Sequence, residues 1–391
     1  MANITVLVHV NTTVKVHVMF QKNKQNIPIL ALAPMAGYTN PEFRLLALNW
    51  GADIVYSEMV SGRGLVFGGQ RTFDLMDRRK GEKNLIIQIF GDDPSIMGEA
   101  AEIVSSYKTT VFDDNELEFL VETNGEADGA VKVNAADGID INFGCPVKKI
   151  AKSGSGAVLL KDPEKALAIT EAVVKHSSVP VSIKFRLGWN SELPAARDFL
   201  DIAKDCNCSH VMIHGRWATQ FYSGKADWQA LAELTEYSKV PVFVNGDVCT
   251  ANDGLDIFRQ TGAAGIGIGR GALKKPWIFR DIKSAFGEES ANGVEPLENT
   301  NEYFTRRVAI ARWMLRKTAQ RLLAIGAKTT GRCRSAPAYL RLRSHFMALI
   351  SSIHGASKVR TAILKAESND ELDQILAELE TSNRFIPLAD L

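Results

Sequence analysis

The chain has 391 residues, of which 46% are hydrophobic and 23% are charged, and its formal net charge is +1. This length can bury a large core and predicts two domains. No apolar run approaches the roughly 20 residues that cross a bilayer, so no membrane partner is expected. The five cysteines form no CxxC pair and the N-terminus lacks a secretory signal pattern, which predicts a cytoplasmic protein without disulfides or a metal site.

The beginning of the chain alternates apolar and polar side chains. Residues 5–18 are typical of two short strands with a turn between them. This pattern predicts a hairpin-like appendage over residues 1–26, and the sequence assigns it no function.

Eight short apolar runs follow the appendage, and each leads into polar or glycine-rich sequence. They are residues 29–33, 52–59, 85–90, 138–143, 181–186, 210–214, 242–245 and 264–268. Asn40, Asp93 and Asp162 each precede a proline, a pattern typical of a helix N-cap. Eightfold alternation of strand and helix predicts an α/β fold, a (β/α)8 TIM barrel over residues 27–286.

An open, doubly wound sheet is the alternative architecture. Residues 265–271 resemble a dinucleotide-binding fingerprint, but they lie at the end of the array and not in a first strand–helix turn. The acidic ribose ligand expected about 20 residues later, in a second strand, is also missing. We therefore interpret this stretch as a glycine-rich eighth strand that opens a phosphate site.

Polar residues collect where the apolar runs end. These ends carry Pro34 to Gly37, Glu58, Gln88, Cys145, Lys184, Arg186, His214, Arg216, Asn245 to Asp247, Gly269 and Arg270. The carboxyl ends of the strands form the catalytic face of a parallel barrel. Cationic and amide groups at that face favour an anionic cofactor over a metal, because only one histidine and few carboxylates are present.

The fourth run ends in Gly144, Cys145 and Pro146, so it presents a thiol on a turn at a strand's carboxyl end. On its own, Cys145 fits equally well as an ordinary buried cysteine, since free cysteine is among the most buried residue types. The neighbouring motifs favour a functional interpretation.

Eight motifs share a common pattern and stand in a common order. They are Ala33-Pro-Met-Ala-Gly37, Gln88-Ile-Phe-Gly91, Asp140-Ile-Asn-Phe-Gly-Cys-Pro146, Lys148-Lys149, Ile213-His-Gly-Arg216, Ala226-Asp-Trp228, Asn245-Gly-Asp247 and Ile268-Gly-Arg270. Over roughly residues 28–365 the chain resembles the tRNA-dihydrouridine synthases, above all the bacterial branch. The resemblance implies an FMN-binding barrel recharged by NADPH, a helical C-terminal domain, and reduction of particular uridines in tRNA.

The resemblance also implies roles for individual residues. Cys145 would protonate C5 of uracil after hydride reaches C6, and Asn142 and Arg216 would contact the substrate. Contacts to the cofactor are implied for Pro34, Met35, Ala36, Gln88, Lys184, His214, Asn245, Gly246, Asp247, Gly269 and Arg270. Trp217 departs from the family, which usually has a small hydroxyl residue there.

A general acid must begin the reaction protonated. The apolar neighbours Phe143 and Pro146 keep the pKa of the thiol high, whereas Lys184 and Arg186 would lower it. A nucleophilic thiol activated by His214 therefore stays open as an alternative.

The C-terminal part of the chain separates its charges from the rest. From Tyr303 to Lys365 there are 14 basic residues and no acidic ones, while the remainder carries 32 basic and 45 acidic residues. Such segregation is typical of a surface for a polyanion. We expect a basic, helical tRNA-binding domain at residues 301–391, joined to the barrel by a linker at 287–300.

An insertion at about residues 106–135 separates the third and fourth barrel strands. Residues 117–121 and 130–133 are typical of strands, and Asn124-Gly125 favours the turn of a hairpin. Because the insertion follows a helix and precedes a strand, we expect it at the face opposite the cofactor, without a catalytic role.

One alternative function shares most of these features. A flavin-dependent oxidoreductase barrel that acts on a free pyrimidine, such as a dihydroorotate dehydrogenase, would have the same fold, phosphate site and cysteine. It would not need a basic helical domain. The sequence contains no indication of the oligomeric state.

Overall fold

The computed structural model describes residues 27–111, 131–287, 301–328, 337–349 and 356–381. Its strands are β1 (Ile29–Leu32), β2 (Ile54–Tyr56), β3 (Val60–Ser61), β4 (Leu85–Phe90), β5 (Lys108–Val111), β6 (Val131–Asn134), β7 (Gly138–Asn142), β8 (Val181–Arg186), β9 (Gly188–Asn190), β10 (Leu193–Pro194), β11 (Val211–His214), β12 (Val242–Asn245) and β13 (Gly265–Ile268). Strands β1, β2, β4, β7, β8, β11, β12 and β13 pair in parallel around a ring, which the β2–β4 pairing closes. The predicted TIM barrel is confirmed.

Helices connect the barrel strands. They are α1 (Pro41–Asn49), α2 (Gly62–Val66), α3 (Gln70–Phe73), α4 (Pro94–Ser106), α5 (Lys148–Ala151), α6 (Pro163–His176), α7 (Ala196–Asp205), α8 (Trp228–Tyr237), α9 (Ala251–Thr261), α10 (Arg270–Lys274) and α11 (Ile278–Ala285). All three predicted N-caps are confirmed, because the side chains of Asn40, Asp93 and Asp162 accept hydrogen bonds from backbone amides three residues later. These caps set the residue at which each of the three helices begins.

Small and large side chains alternate inside the barrel. Ala31 from β1 packs in one buried cluster with Tyr56, Ile86, Met212 and Phe243, which come from four other strands. A closed barrel of eight strands leaves an interior that side chains just fill. The centre of the barrel is therefore a packed core, and ligands have access only at its ends.

The C-terminal region is helical. Its helices are α12 (Asn301–Lys328), α13 (Ala338–Arg341), α14 (Arg343–Leu349), α15 (Ala356–Lys365) and α16 (Asn369–Thr381). Val308, Leu315, Phe346 and Leu376 are fully or almost fully buried, so this region has an apolar core of its own. In the part of the chain that the structure describes, no helix is both long and apolar enough to span a membrane.

The basic residues of this region do not all face solvent. Arg307 and Arg321 are buried, and Arg312 forms ion pairs with Asp373 and Glu380 of α16 at 2.9 and 2.6 Å. Among the residues of these helices whose side chains the structure describes, the exposed basic residues are Arg316, Lys358, Arg360 and Lys365. A basic surface on these helices is therefore smaller than the count of cations indicates.

The two ends of the insertion pair with each other as strands. The sequence predicts residues 117–121 as the partner of the second strand, but β6 pairs with β5. Strand β5 comes earlier in the chain, immediately after helix α4. Residues 117–121 and the turn at 124–125 lie outside the described residues. Arg78 binds the carbonyl oxygen of Asn134 at 3.0 Å and the carboxylate of Asp137 at 2.7 Å, beside the beginning of β7. These paired ends thus lie at the amino ends of the barrel strands.

A buried ion pair supports the loop after β1. Arg44 binds Glu82 at 2.7 Å, and its guanidinium also donates to the carbonyl oxygens of Thr39 and Asp77. Thr39 in turn bonds to the backbone of Met35. This chain of contacts ties the loop at the catalytic face to the segment before β4.

We expect Glu82→Ala to lower the free energy of unfolding by about 3–5 kcal/mol, because it leaves the charge of Arg44 buried without its carboxylate. Chemical denaturation measures the change. The control is Lys83→Ala at the neighbouring exposed position, which should change stability by less than about 0.5 kcal/mol. Equal stability of the two variants would contradict the importance of this ion pair.

Candidate active site

The predicted site residues meet at one end of the barrel. Pro34, Met35 and Ala36 follow β1, and Gln88 lies in β4. Asn142 ends β7 with Cys145 three residues later, and Lys184 lies in β8. His214 ends β11, Asn245 ends β12 with Gly246 and Asp247 next, and Gly269 and Arg270 follow β13. Since all eight strands run parallel, these positions share the rim formed by the carboxyl ends. Lys184 reaches across this rim and donates to the side-chain oxygen of Asn245 at 3.2 Å.

Cys145 sits on a turn that several elements hold. The side-chain oxygen of Asn142 accepts from the amides of Gly144 and Cys145 at 3.1 and 2.9 Å. Arg186 donates to the carbonyl oxygen of Gly144 at 2.9 Å. A Cβ atom on Gly156 would lie 2.7 Å from the carbonyl oxygen of Cys145, so glycine is required at that contact. The turn that carries the thiol is thus held by the side chains of Asn142 and Arg186 and by the close contact at Gly156.

The surroundings favour the protonated thiol. Partial burial raises the pKa of Cys145, and this outweighs the opposing effects of the Val147 amide and of the charges of Arg186 and Lys184. The thiol is therefore protonated at neutral pH, as a general acid requires.

His214 is held neutral by its surroundings. Burial is the main cause that lowers the pKa of its ring well below the usual value, and four cations lower it further, namely Arg186, Lys184, Arg216 and Arg270. Within residues 27–111 and 131–287, the hydrogen bond of its Nε2 atom is with Arg216, at 3.3 Å. A protonated thiol and a neutral imidazole do not favour the thiolate–imidazolium pair that the nucleophilic alternative needs.

Arg216 is buried and fully engaged with protein groups. It donates to the carbonyl oxygens of Ser223 and Gly224 and to both carboxylate oxygens of Asp247, the latter at 2.7 Å. Asp247 also accepts from the amide of Ala226 at 2.7 Å. The sequence predicts a substrate contact for Arg216, whereas in the structure this residue fastens the loop after β11 to the loop after β12.

The loops at β12 and β13 form an open cradle. At Gly246 the φ angle is +134°, and a Cβ atom would lie 2.6 Å from that of Ala226, so only glycine fits. A Cβ atom on Gly269 would meet only Met35, at an ordinary 3.5 Å. The half-exposed Arg270 lies over the ring of Tyr222 at 4.7 Å. Backbone amides and a guanidinium are thus presented beside open space.

The charges of the rim suit an anionic ligand. Lys184, Arg186, Arg216 and Arg270 all act on His214, whereas Asp247 is already shared by Arg216 and Arg270. Burial lowers the pKa of Arg186 to about 10, which reflects the cost of holding this charge away from water. Among the described residues, no cluster of His, Cys, Asp and Glu could hold a metal ion.

The sequence analysis did not predict two residues of this site, Asp140 and Tyr222. Asp140 is fully buried, and it accepts from Gln88 and Ser182 at 2.7 Å each. The signal was present in the sequence, because an acidic residue inside an otherwise apolar buried strand requires partners. Tyr222, 56% exposed at the rim, was also missed; an aromatic residue in a polar loop carries no comparable signal.

A family comparison decides the assignment. The profile described as "Dihydrouridine synthase (Dus)" matches residues 31–115 and 121–383. The chain belongs to the dihydrouridine synthase family. Membership confirms the predicted family and the predicted class of enzyme, a flavin-dependent oxidoreductase.

Individual relatives agree with the family match. A protein named "Probable tRNA-dihydrouridine synthase" from Rhizobium leguminosarum bv. phaseoli is 37% identical over 248 residues, which cover 63% of this chain and 69% of the relative. A protein of the same name from Rickettsia conorii is 34% identical over 280 residues, covering 70% and 76%. "tRNA-dihydrouridine synthase B" from Xanthomonas axonopodis pv. citri is 32% identical over 255 residues, covering 65% and 69%.

We expect iodoacetamide to alkylate Cys145 with a pH midpoint above the value of about 8.5 of an ordinary thiol. Arg186→Gln should move the midpoint higher still, because it removes a charge that stabilises the thiolate. Arg186→Lys keeps the charge and is the matched control, with a midpoint close to that of the unmodified protein. Peptide mass spectrometry separates Cys145 from the exposed Cys249. A lower midpoint in Arg186→Gln would contradict the assigned electrostatics.

Proposed function

We propose that this member of the family is a tRNA-dihydrouridine synthase that uses FMN and NADPH to reduce the C5–C6 bond of uridines in tRNA. The observation that carries the proposal is the position of Cys145 on a fixed turn, where burial raises the pKa of its thiol, beside a rim rich in cations. The choice of FMN and NADPH rests on the motifs shared with the family. The names of the relatives support tRNA as the substrate.

The residues of the rim fit a flavin mononucleotide. Asn245, Gly246, Gly269 and Arg270 would hold the ribityl chain and phosphate, because glycine amides and an arginine fork are suited to phosphate. Asp247 would contribute by orienting Arg270, to which it is joined at 3.3 Å.

The other predicted cofactor residues of the rim would hold the ring of the cofactor. Pro34, Met35 and Ala36 would face it through their backbone groups, and Gln88 and Lys184 would contact its polar edge. Burial and the charge of Arg186 lower the pKa of Lys184, so this ammonium group gains from an anion beside it. It would therefore stabilise the negative charge of the reduced ring.

The reaction needs a hydride at C6 and a proton at C5 of the uracil ring. When bound, reduced FMN supplies the hydride, since protein side chains cannot. Cys145 delivers the proton from its thiol, and the raised pKa keeps that proton in place until the ring carbon needs it. Asn142 holds the turn of Cys145 through its side-chain oxygen, so we assign it positioning of the acid as well as its proposed contact with uracil.

A polynucleotide substrate agrees with the extent of the family match. The match continues to residue 383, beyond the barrel and through the helical region. A flavin-dependent oxidoreductase acting on free pyrimidines would not need these helices, so the match favours tRNA over that alternative. The target base must leave its stack in the folded tRNA to reach a pocket at the barrel rim.

Cys145→Ala is expected to retain flavin and to oxidise NADPH, because the thiol donates a proton and does not hold the cofactor. Reduction of uridine in tRNA should fall by about 10²-fold or more, as for loss of a general acid. Mass spectrometry of tRNA nucleosides, with a gain of two hydrogens per product, measures the rate. Cys206→Ala, at a cysteine between α7 and β11 on the opposite face of the barrel, is the control. Unchanged turnover in Cys145→Ala would remove this residue from the reaction.

We expect the combined change of Arg316, Lys358, Arg360 and Lys365 to Gln to weaken tRNA binding by about tenfold or more at low salt. It should also reduce the salt dependence of the affinity, since fewer counterions are released from the phosphates. The matched control replaces four exposed barrel cations with Gln, namely Lys175, Lys204, Lys239 and Arg259. Filter binding across a salt series measures both. Equal losses in the two variants would argue against a dedicated basic surface.

A further inference from the structure

A buried carboxyl group lies on the strand that leads to the proposed acid. Asp140 is in β7, two residues before Asn142, and its side chain is fully buried. One oxygen accepts from the hydroxyl of Ser182 at 2.7 Å, and the other accepts from the side-chain nitrogen of Gln88 at 2.7 Å. No step of the proposed reaction uses this carboxyl group.

Two amide side chains connect Asp140 to the turn of Cys145. The oxygen of Gln88 accepts from the nitrogen of Asn142 at 2.8 Å. The oxygen of Asn142 then accepts from the backbone amides of Gly144 and Cys145. Every hydrogen bond along this path points the same way, with the donor on the side nearer Cys145.

The direction of the path depends on its first member. An ionised carboxylate can only accept hydrogen bonds, so Gln88 must turn its nitrogen towards Asp140 and its oxygen towards Asn142. Asn142 must then turn its nitrogen towards Gln88 and its oxygen towards the turn. In the reverse arrangement, the nitrogen of Asn142 would face two backbone donors and leave them without an acceptor.

We propose that Asp140 is a positioning residue, whose carboxylate sets the direction of the Gln88–Asn142 amide pair and so holds the turn that carries Cys145. Its importance for catalysis rests on the proposed function of Cys145, whereas its effect on the turn does not. We name the path Asp140–Gln88–Asn142 the amide relay.

A purely structural role does not explain why an acidic side chain is buried at position 140. Burial raises its pKa to about 7, although the hydrogen bonds from Gln88 and Ser182 and the charge of Lys184 oppose the rise. An apolar side chain of similar size would fill the space without this cost. The other ionisable groups around it, Tyr56 and His210, form their own hydrogen bond and do not replace it as an acceptor for Gln88.

The relay is tested by hydrogen exchange at the turn in Asp140→Asn. Asparagine has almost the same shape but can present either an oxygen or a nitrogen to Gln88, so both directions of the relay become populated. At pH 8.5, the holoenzyme should exchange the amides of Gly144 and Cys145 about tenfold or more faster, after correction for intrinsic rates. Peptides from β12 and β13 should exchange as in the unmodified protein.

Two further variants separate direction from general packing. Ser182→Ala removes one hydrogen bond to Asp140 but leaves the carboxylate as an acceptor for Gln88, so exchange at the turn should stay within about twofold. In Asp140→Asn/Gln88→Glu, the new carboxylate accepts from both neighbouring amides and restores the direction towards Asn142. Exchange at the turn should therefore return towards that of the unmodified protein.

The outcomes distinguish the relay from the proposed function. Unchanged exchange in Asp140→Asn, or faster exchange in the double variant than in the single one, would overturn the relay. If Asp140→Asn does not fold, the double variant alone decides in the same way: a protected turn supports the relay and tenfold faster exchange overturns it. The turnover of Asp140→Asn on tRNA should fall about tenfold with KM for tRNA within twofold. Failure of the proposed function would appear in turnover alone.

Discussion

The site depends on buried positive charge that has few carboxylates beside it. Arg186 and Arg216 lie almost wholly out of water, and burial together with Arg186 lowers the pKa of Lys184. Desolvation makes each of these charges costly unless an anion or a ring of hydrogen-bond acceptors surrounds it. The carbonyl oxygens that Arg186 and Arg216 bind are therefore held in place as firmly as the cations themselves. The same cations add to the effect of burial in keeping the ring of His214 neutral.

This imbalance also acts on the protonation state of the Cys145 thiol. Cations close to a cysteine favour its thiolate, which cannot donate a proton. Cys145 escapes that outcome because desolvation raises its pKa more than Arg186 and Lys184 lower it. The guanidinium group of Arg186 donates hydrogen bonds to the carbonyl oxygens of Gly144, Trp217 and Phe221. The same residue thus shapes the turn and moderates the field at the thiol.

Local signals made much of the fold and rim predictable. Apolar runs marked the eight barrel strands, and the N-caps Asn40, Asp93 and Asp162 depend only on residues within one helical turn. The position of Cys145 at a strand end was equally local. Contacts between distant segments were not predictable in this way. Composition counted Arg312 as a free cation, but its partners Asp373 and Glu380 lie 61 and 68 residues further along the chain.

Orientation was another property that the sequence could not reveal. The motif that contains Asp140, Asn142 and Cys145 placed all three on one strand and turn, but an amide has two chemically different ends. Only the neighbouring strands, which bring Gln88 and Ser182 to Asp140, decide which end faces which partner. The sequence therefore places Asn142 in the motif, whereas its contacts with Gln88 and with the turn are visible only in the structure.

The paired ends of the insertion have a practical meaning for engineering. Strands β5 and β6 leave and re-enter the barrel side by side, and Arg78 clamps the re-entry point at Asn134 and Asp137. Strand pairing thus holds the two ends of the insertion next to each other. Doubling the length of such a loop costs only about 0.6 kcal/mol in closure entropy. The segment between β5 and β6 is therefore a suitable place to insert a reporter domain or an affinity tag, and both termini stay unchanged.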